Sequence, residues 1–224
     1  MYRHVALSSF TLMGRPAIPE VSHAVEELAL RTFAQQAAAR AKSASAAASD
    51  PIAWGAPAVL GAIIHNLRQD GSSEDQADAA RLQASLETHA KRALRDQHVS
   101  EHQRIWLTAL GNTHHPSIVP IVDSFVNASA DQAPVHAKAV HALRGIMHDR
   151  VTATLRSALQ DTRPAVRASA VRSVLMHRRK PEELGMLAEA MVKEEDPHVL
   201  GTIQLATGLD LLQLREKVWQ PLGP

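Results

Sequence analysis

In the second half of the chain, apolar and polar positions recur with a spacing of 31 to 33 residues. The stretch Val135-His-Ala137-Lys-Ala139-Val140-His-Ala142-Leu143 returns 31 positions later as Val166-Arg-Ala168-Ser-Ala170-Val171-Arg-Ser173-Val174. Backwards, Leu107, Ala109 and Leu110 match Val140, Ala142 and Leu143 at a shift of 33; forwards, Val166 and Ala168 find a weaker echo in Val199 and Gly201. A period of this length with two helical patterns per copy is the signature of an α-solenoid, because one such unit cannot bury its apolar face alone. The expected fold is all-α: a right-handed α-solenoid of antiparallel helix hairpins, HEAT-like, with 31–33 residues per repeat. No long stretch alternates as a half-buried strand would.

Turn formers place the elements. Residues 1–13 read as a short amphipathic helix stopped by Gly14 and Pro16. A long helix over 20–42 follows, with Val21, Val25, Leu28 and Phe33 near helical spacing. The Ala/Ser tract at 43–51 either frays that helix or is a flexible connector. Val59, Leu60, Ile63, Ile64 and Leu67 predict a short helix over 58–69. Ser73-Glu-Asp-Gln76 reads as a capping box opening a helix to Arg95, and Ser100-Glu-His-Gln103 repeats the device. The second of these helices carries Trp106, Leu107 and Leu110 and ends at Gly111-Asn112. Pro116 starts its partner, and Pro120 lies close enough to that start to move the boundary rather than break the helix. Further helices begin at Pro134, Pro164, Pro181 and Pro197, where a missing N–H costs nothing. The resulting hairpins are 100–127, 134–160, 164–193 and 197–218.

Two regions follow: residues 1–70, irregular helices suited to cap the stack, and residues 73–220, the HEAT-like repeats. Solenoid ends expose apolar surface unless capped. Trp219-Gln-Pro-Leu-Gly-Pro224 is poorly polar for a cap, which predicts a protein partner, a homodimer mate or a missing domain at that end.

Composition narrows the function classes. Apolar residues make up 45% of the chain but aromatic residues only 3%. The formal net charge is +1, with 11 basic and 11 acidic side chains in residues 1–112 and 13 and 12 in residues 113–224. No basic field is available to hold many phosphates, so no nucleic-acid partner is expected. Zero cysteines exclude disulfides, thiol catalysis and cysteine-ligated metals. The N-terminal apolar run is broken by Ser8, Ser9 and Thr11 and lacks a small-residue cleavage site, so no signal peptide is expected. No segment reaches the roughly 20 apolar residues of a membrane span. A soluble protein is expected, cytoplasmic rather than secreted.

The stretch Trp106-Leu-Thr-Ala-Leu-Gly-Asn-Thr-His-His-Pro-Ser-Ile-Val-Pro-Ile121 resembles a segment of the large lipid transfer proteins, the family of vitellogenins, the microsomal triglyceride transfer protein and the apolipoprotein B N-terminal region. Their superhelical domain carries an A-L-G-N-A-G-H-P-x-x-I-x-x-L pattern. Ala109, Leu110, Gly111, Asn112, His115, Pro116 and Ile118 match it, while Thr113 and His114 replace Ala and Gly. Ala139, Ala142, Leu143, Arg144 and Ile146 resemble the family's V-x-x-x-A-x-x-A-L-R-x-I helix, and Val166, Arg167, Ala170 and Val171 its P-x-V-R-x-A-A-V stretch. Arg3-His-Val-Ala-Leu7 is reminiscent of an earlier helix. The resemblance covers residues 75–210 and implies the superhelical fold. It implies lipid transport or lipoprotein assembly only with the β-barrel and β-sheets that accompany the domain in the family, of which this sequence shows no pattern. The absence of cysteine departs from secreted, disulfide-bearing relatives.

Few constellations suggest chemistry. Among the 13 histidines, His98 and His102 have the i, i+4 spacing of a helical metal pair, but no third ligand or accompanying Glu is evident. No metal site, cofactor or catalytic residue is assigned. Arg163, Arg167, Arg172, Arg178, Arg179 and Lys180 form the sharpest basic cluster and are the candidate interaction surface, for a phosphate, a lipid headgroup or an acidic partner. The competing structural reading has these charges lock successive repeats in register, with Glu189, Glu194, Glu195 and Asp196 balancing them. Arg144 and Arg167 are candidate inter-repeat links, with Asp123, Asp149 and Asp161 as partners. Trp54, Trp106 and Trp219 read as packing residues. Gly111, Asn112, His115 and Pro116 form the family-motif turn.

The chain is therefore expected to be a non-enzymatic scaffold mediating protein–protein interaction. The alternative is lipid binding or transport as the helical domain of a lipid-transfer-like protein. An enzyme or nucleic-acid binder on a HEAT scaffold would need a basic concave face with aromatic residues.

Overall fold

The computed structural model describes residues 51–70, 72–95, 100–128, 132–176 and 181–207. Among them every regular element is helical. In order these are α1 (Pro51–Asp70), α2 (Ser73–Leu94), α3 (Ser100–Asn112), a 3-10 turn (Pro116–Ile118), α4 (Val119–Ala128), α5 (Ala133–Ala142), α6 (Asp149–Ala158), α7 (Pro164–Met176), α8 (Pro181–Lys193) and α9 (Pro197–Thr207). The chain divides between Thr113 and His114 into two compact units. The expected elements at 1–13, 20–42 and 209–218, the Ala/Ser tract up to residue 50 and the chain end at Trp219 lie outside the described residues.

In the first unit, α1, α2 and α3 pack against one another. Ala56, Leu60, Ile63, Ile64 and Leu67 of α1 are buried, as are Leu82 and Leu86 of α2 and Leu107 and Leu110 of α3. Each large aliphatic side chain so buried contributes about 2 kcal/mol. The sequence predicts α1 only from residue 58; it starts at Pro51 and runs through Pro57. Pro51 suits the first helical position, and burial of Pro57 within the packed unit offsets the hydrogen bond its nitrogen cannot make. Helices α1 and α3 approach so closely that a Cβ on Gly61 would collide with the Ala109 carbonyl oxygen. Beside this contact, Asn112 Nδ2 donates to the Ala58 carbonyl at 2.9 Å. Trp106 is buried, and its ring stacks on His89 with centroids 6.2 Å apart.

The α2 capping box sits one residue earlier than the sequence predicts. Ser72, not Ser73, is the cap: its Oγ accepts from the Asp75 amide at 3.2 Å, and Asp75 Oδ2 accepts from the Ser72 amide at 2.8 Å. The shorter carboxylate of Asp75 closes the box in place of Gln76. At α3, Ser100 is already helical, and Gln103 turns its Nε2 to the Leu94 carbonyl at 3.5 Å.

In the second unit, α5 packs against α7 and α7 against α9, while α4, α6 and α8 lie against their chain neighbours. The residues that recur in sequence form the core: Val135, Ala139, Val140 and Leu143, then Val166, Ala170, Val171 and Val174, then Val199 and Ile203. The small Ala and Ser positions let α5 and α7 come close enough for Ser173 Oγ to donate to the Val140 carbonyl at 3.2 Å. Helices begin at Pro164, Pro181 and Pro197 as predicted, and Pro134 lies in the first turn of α5. Pro120 shifts a boundary as expected: Pro116–Ile118 form a 3-10 turn, and the α-helix follows from Val119.

Candidate interaction surface

Several polar side chains of the second unit link one repeat to the next. His136 is buried in α5 beside Val135 and Ala137. Its Nδ1 accepts from Arg163 Nη2 at 3.0 Å; because guanidinium only donates, this nitrogen carries no proton. Burial and the Arg163 charge push the His136 imidazole down, against the opposing influence of Asp161. Arg163 also grips Asp161, Nε to Oδ1 at 2.8 Å and Nη2 to Oδ2 at 2.6 Å. Asp161 Oδ1 accepts from the Arg163 amide at 2.9 Å, which turns the chain into Pro164. The hydrogen bonds from Arg163 hold the Asp161 carboxyl below its ordinary value, against desolvation.

Arg167 occupies on α7 the place of His136 on α5. Its Nε donates to Glu194 Oε2 and its Nη2 to Glu194 Oε1, both at 2.7 Å. Its Nη1 reaches the carbonyls of Asp161 and Thr162 at 2.8 and 3.0 Å. Glu194 Oε1 in turn accepts from the Glu195 and Asp196 amides at 3.2 and 2.9 Å. Asp196 Oδ1 then caps α9 through the His198 and Val199 amides at 2.9 and 3.1 Å. Hydrogen bonding to Arg167 is the main cause that holds the Glu194 carboxyl low; the same pair raises Arg167.

His136–Arg163 and Arg167–Glu194 are each separated by 27 residues. Each link therefore stops short of a whole repeat: Arg163 stands four residues before Arg167, the counterpart of His136, and Glu194 six residues before Leu200, the counterpart of Arg167. On the other set of helices, Asp123 of α4 and Arg150 of α6 have the same separation, with Nε to Oδ2 at 3.5 Å. Thr154 Oγ1 adds a bond to Asp123 Oδ1 at 3.2 Å. Arg156 and Glu189 meet at 3.9 Å with both side chains exposed, a pair worth little. Between α6 and α8 a cleft of about 440 Å³ is bordered by Arg156, Asp161, Arg167, Glu189, Lys193 and Glu194.

The family-motif turn has its own geometry. Gly111 is buried at the end of α3, and Asn112 is bound to α1. His115 caps the 3-10 turn, its Nδ1 accepting from the Ser117 amide at 3.3 Å, and Pro116 follows as the first residue. His148 repeats this cap on α6, accepting from the Arg150 amide at 3.2 Å. His114 has φ +48°, in the left-handed region. Its Nδ1 lies 3.2 Å from the Arg144 carbonyl, which only accepts, so this nitrogen carries the proton. His114 and His115 are thus held in opposite tautomers.

Of the basic cluster read from the sequence, Arg163 and Arg167 are engaged in these internal links. Arg172 is exposed on α7, and Arg178, Arg179 and Lys180 lie outside the described residues. Arg144, in the turn that follows α5, donates to the His141 carbonyl at 3.1 Å. Arg167 takes the side chain of Glu194 and only the backbone of Asp161. Of His136, Glu194 and His114, sequence reasoning named only Glu194, as a charge balancing the basic cluster, and did not pair it with Arg167. The repeat alignment of His136 with Arg167 was a usable signal for the first. The replacement of the family glycine was one for the third. His102 lies on α3, while His98 is outside the described residues.

Helices joined at one-repeat intervals around a recurring Val/Ala core define a helical repeat domain. The family model for the Vitellogenin TPR domain matches residues 19–205, and the chain belongs to that family. No curated protein and no solved structure matches the chain.

Proposed function

We propose that this chain is a non-enzymatic helical-repeat scaffold, a solenoid of antiparallel hairpins that mediates protein–protein interaction. The observation that supports this reading most is how the polar groups are used. Arg163, Arg167, Asp161 and Glu194 are spent on fixing one repeat against the next. Such rigid linkage suits a surface that must hold its shape for a partner. The cleft between α6 and α8 is lined mainly by charged groups, with Leu159, Met186 and Ala190 as its apolar part, a poor lining for acyl chains.

Membership of the Vitellogenin TPR family favours a second reading, in which the domain serves lipid binding or transport together with other domains. Among the described residues no helix is long and apolar enough to cross a membrane.

One experiment separates the two. The tagged full chain is cross-linked in cells, purified and divided between peptide and lipid mass spectrometry. The scaffold reading expects a protein cross-linked in near-stoichiometric amount and no stoichiometric lipid. Stoichiometric phospholipid or neutral lipid without a protein partner would overturn it in favour of the second reading.

A further inference from the structure

Arg172 differs from Arg163 and Arg167. It is exposed, and its guanidinium makes no hydrogen bond or ion pair among the described residues. On α7 it takes the position that His141 takes on α5, 31 residues earlier, and these two helices pack together. His141 stands in a cationic setting. Its Nδ1 is buried without a hydrogen-bond partner among the described residues. The imidazole is pushed down to about 4, first by burial and then by Arg144, Lys138 and Arg172. Every charged group that acts on it is a base.

Apolar surface continues this patch. Met176, one turn beyond Arg172 on α7, is 51% exposed. On α9, which also packs against α7, the equivalent position is Leu205, 90% exposed. The outward positions of the alternate helices α5, α7 and α9 thus run from cationic on α5 and α7 to apolar on α7 and α9. Arginine and methionine beside exposed aliphatic surface are the composition of protein interfaces rather than of solvated faces.

We infer that Lys138, His141, Arg144, Arg172, Met176 and Leu205 form a docking surface for an acidic amphipathic segment of a partner protein. Carboxylates of that segment lie against Lys138, Arg144 and Arg172, and its apolar side chains cover Met176 and Leu205. The inference rests on the scaffold reading above and adds the chemistry of the partner. Charge complementarity selects the acidic segment, and the neighbouring apolar residues require that it carry apolar side chains as well.

The test uses the full chain and a fluorescein-labelled synthetic helix of Glu, Leu and Ala, with a matched peptide bearing Lys in place of Glu. Fluorescence anisotropy is expected to show binding of the acidic peptide, weakened by added salt, and none of the basic one. Arg172→Glu and Leu205→Ser are each expected to weaken binding about tenfold or more, equal to about 1.4 kcal/mol or more. Arg81→Glu, on an exposed arginine of the other unit, is expected to leave binding unchanged. Thermal melts confirm that each variant is folded. A second readout follows from proximity: the bound carboxylates raise the His141 imidazole in an NMR titration. Unchanged affinity in Arg172→Glu, equal binding of the basic peptide, or binding of phosphatidylserine vesicles but not of the acidic peptide overturns the inference. A partner cross-linked in cells equally well by wild type and by Arg172→Glu would leave the scaffold reading standing and remove only this surface.

Discussion

The His114 ring occupies the space that a side chain on Gly145 would need: a Cβ there would stand 2.7 Å from His114 Nδ1. Both residues have positive φ, +48° and +70°. In His114 this conformation costs about 1 kcal/mol, offset by the hydrogen bond to the Arg144 carbonyl. Gly145→Ala meets both the backbone restriction and the ring, and is expected to destabilise the fold by about 2 kcal/mol or more. In a His114→Ala background the ring is gone, so the cost should shrink by about 0.5 kcal/mol or more. Urea titration of the four proteins in the cycle measures it; additive costs would contradict the packed pair.

Arg167→Ala should destabilise by roughly 2–3 kcal/mol, because it leaves the Glu194 carboxylate shielded and without its guanidinium. The position of the pair on the wall of the cleft places the value toward the lower end. Replacing both residues by Met should cost less than the single change. Equilibrium unfolding of the single and double variants checks the order.

Acid should weaken the fold in two stages. His136 and His141 titrate below their ordinary 6.5 in the folded chain, so the unfolded chain binds protons first. Stability is therefore complete above pH 6.5 and is lost as the pH falls from there toward about 4. Asp161 and Glu194 are depressed from 3.8 and 4.5, so the stability they contribute is present above those values and lost as the pH falls through their lower folded ones. Thermal melts across this range should show Tm declining already in the first stage, and His141→Gln should flatten that stage. A level Tm between pH 6.5 and 4 would contradict the buried setting of His141.

Gly61→Ala should be among the most costly changes in the first unit. The added methyl collides with the backbone of Ala109, which cannot rotate aside, so α1 and α3 must separate; about 3 kcal/mol is expected. Asn112→Ala loses one hydrogen bond across the same contact and should cost about 1 kcal/mol. Comparable destabilisation by the two would argue against the close approach at Gly61.

Helix starts were legible where one local preference decides, as at Pro164, Pro181 and Pro197. They slipped where two residues competed. Ser72 and Ser73 can each cap, and only the reach of Asp75 chooses between them. The start of α1 was placed at residue 58, where its apolar positions begin, because the packing of α1 on α2 and α3 that carries the helix through Pro57 is not local. The basic cluster was visible as a list of arginines, but the partner of Arg167 depends on how the turn before α9 brings Glu194 back across 27 residues. Arg172 differs from its two predecessors by its exposed position on α7. Charge counts alone cannot make that distinction.

The 27-residue reach also governs how such a chain can change length. Duplicating or deleting a whole repeat carries helix, turn and reaching side chain together, so His136 and Arg167 would each still find a partner in the turn that leads into the next copy. Inserting a few residues within a repeat would move every later partner off the helix face that needs it. The protein can be lengthened by whole modules far more readily than it can be stretched.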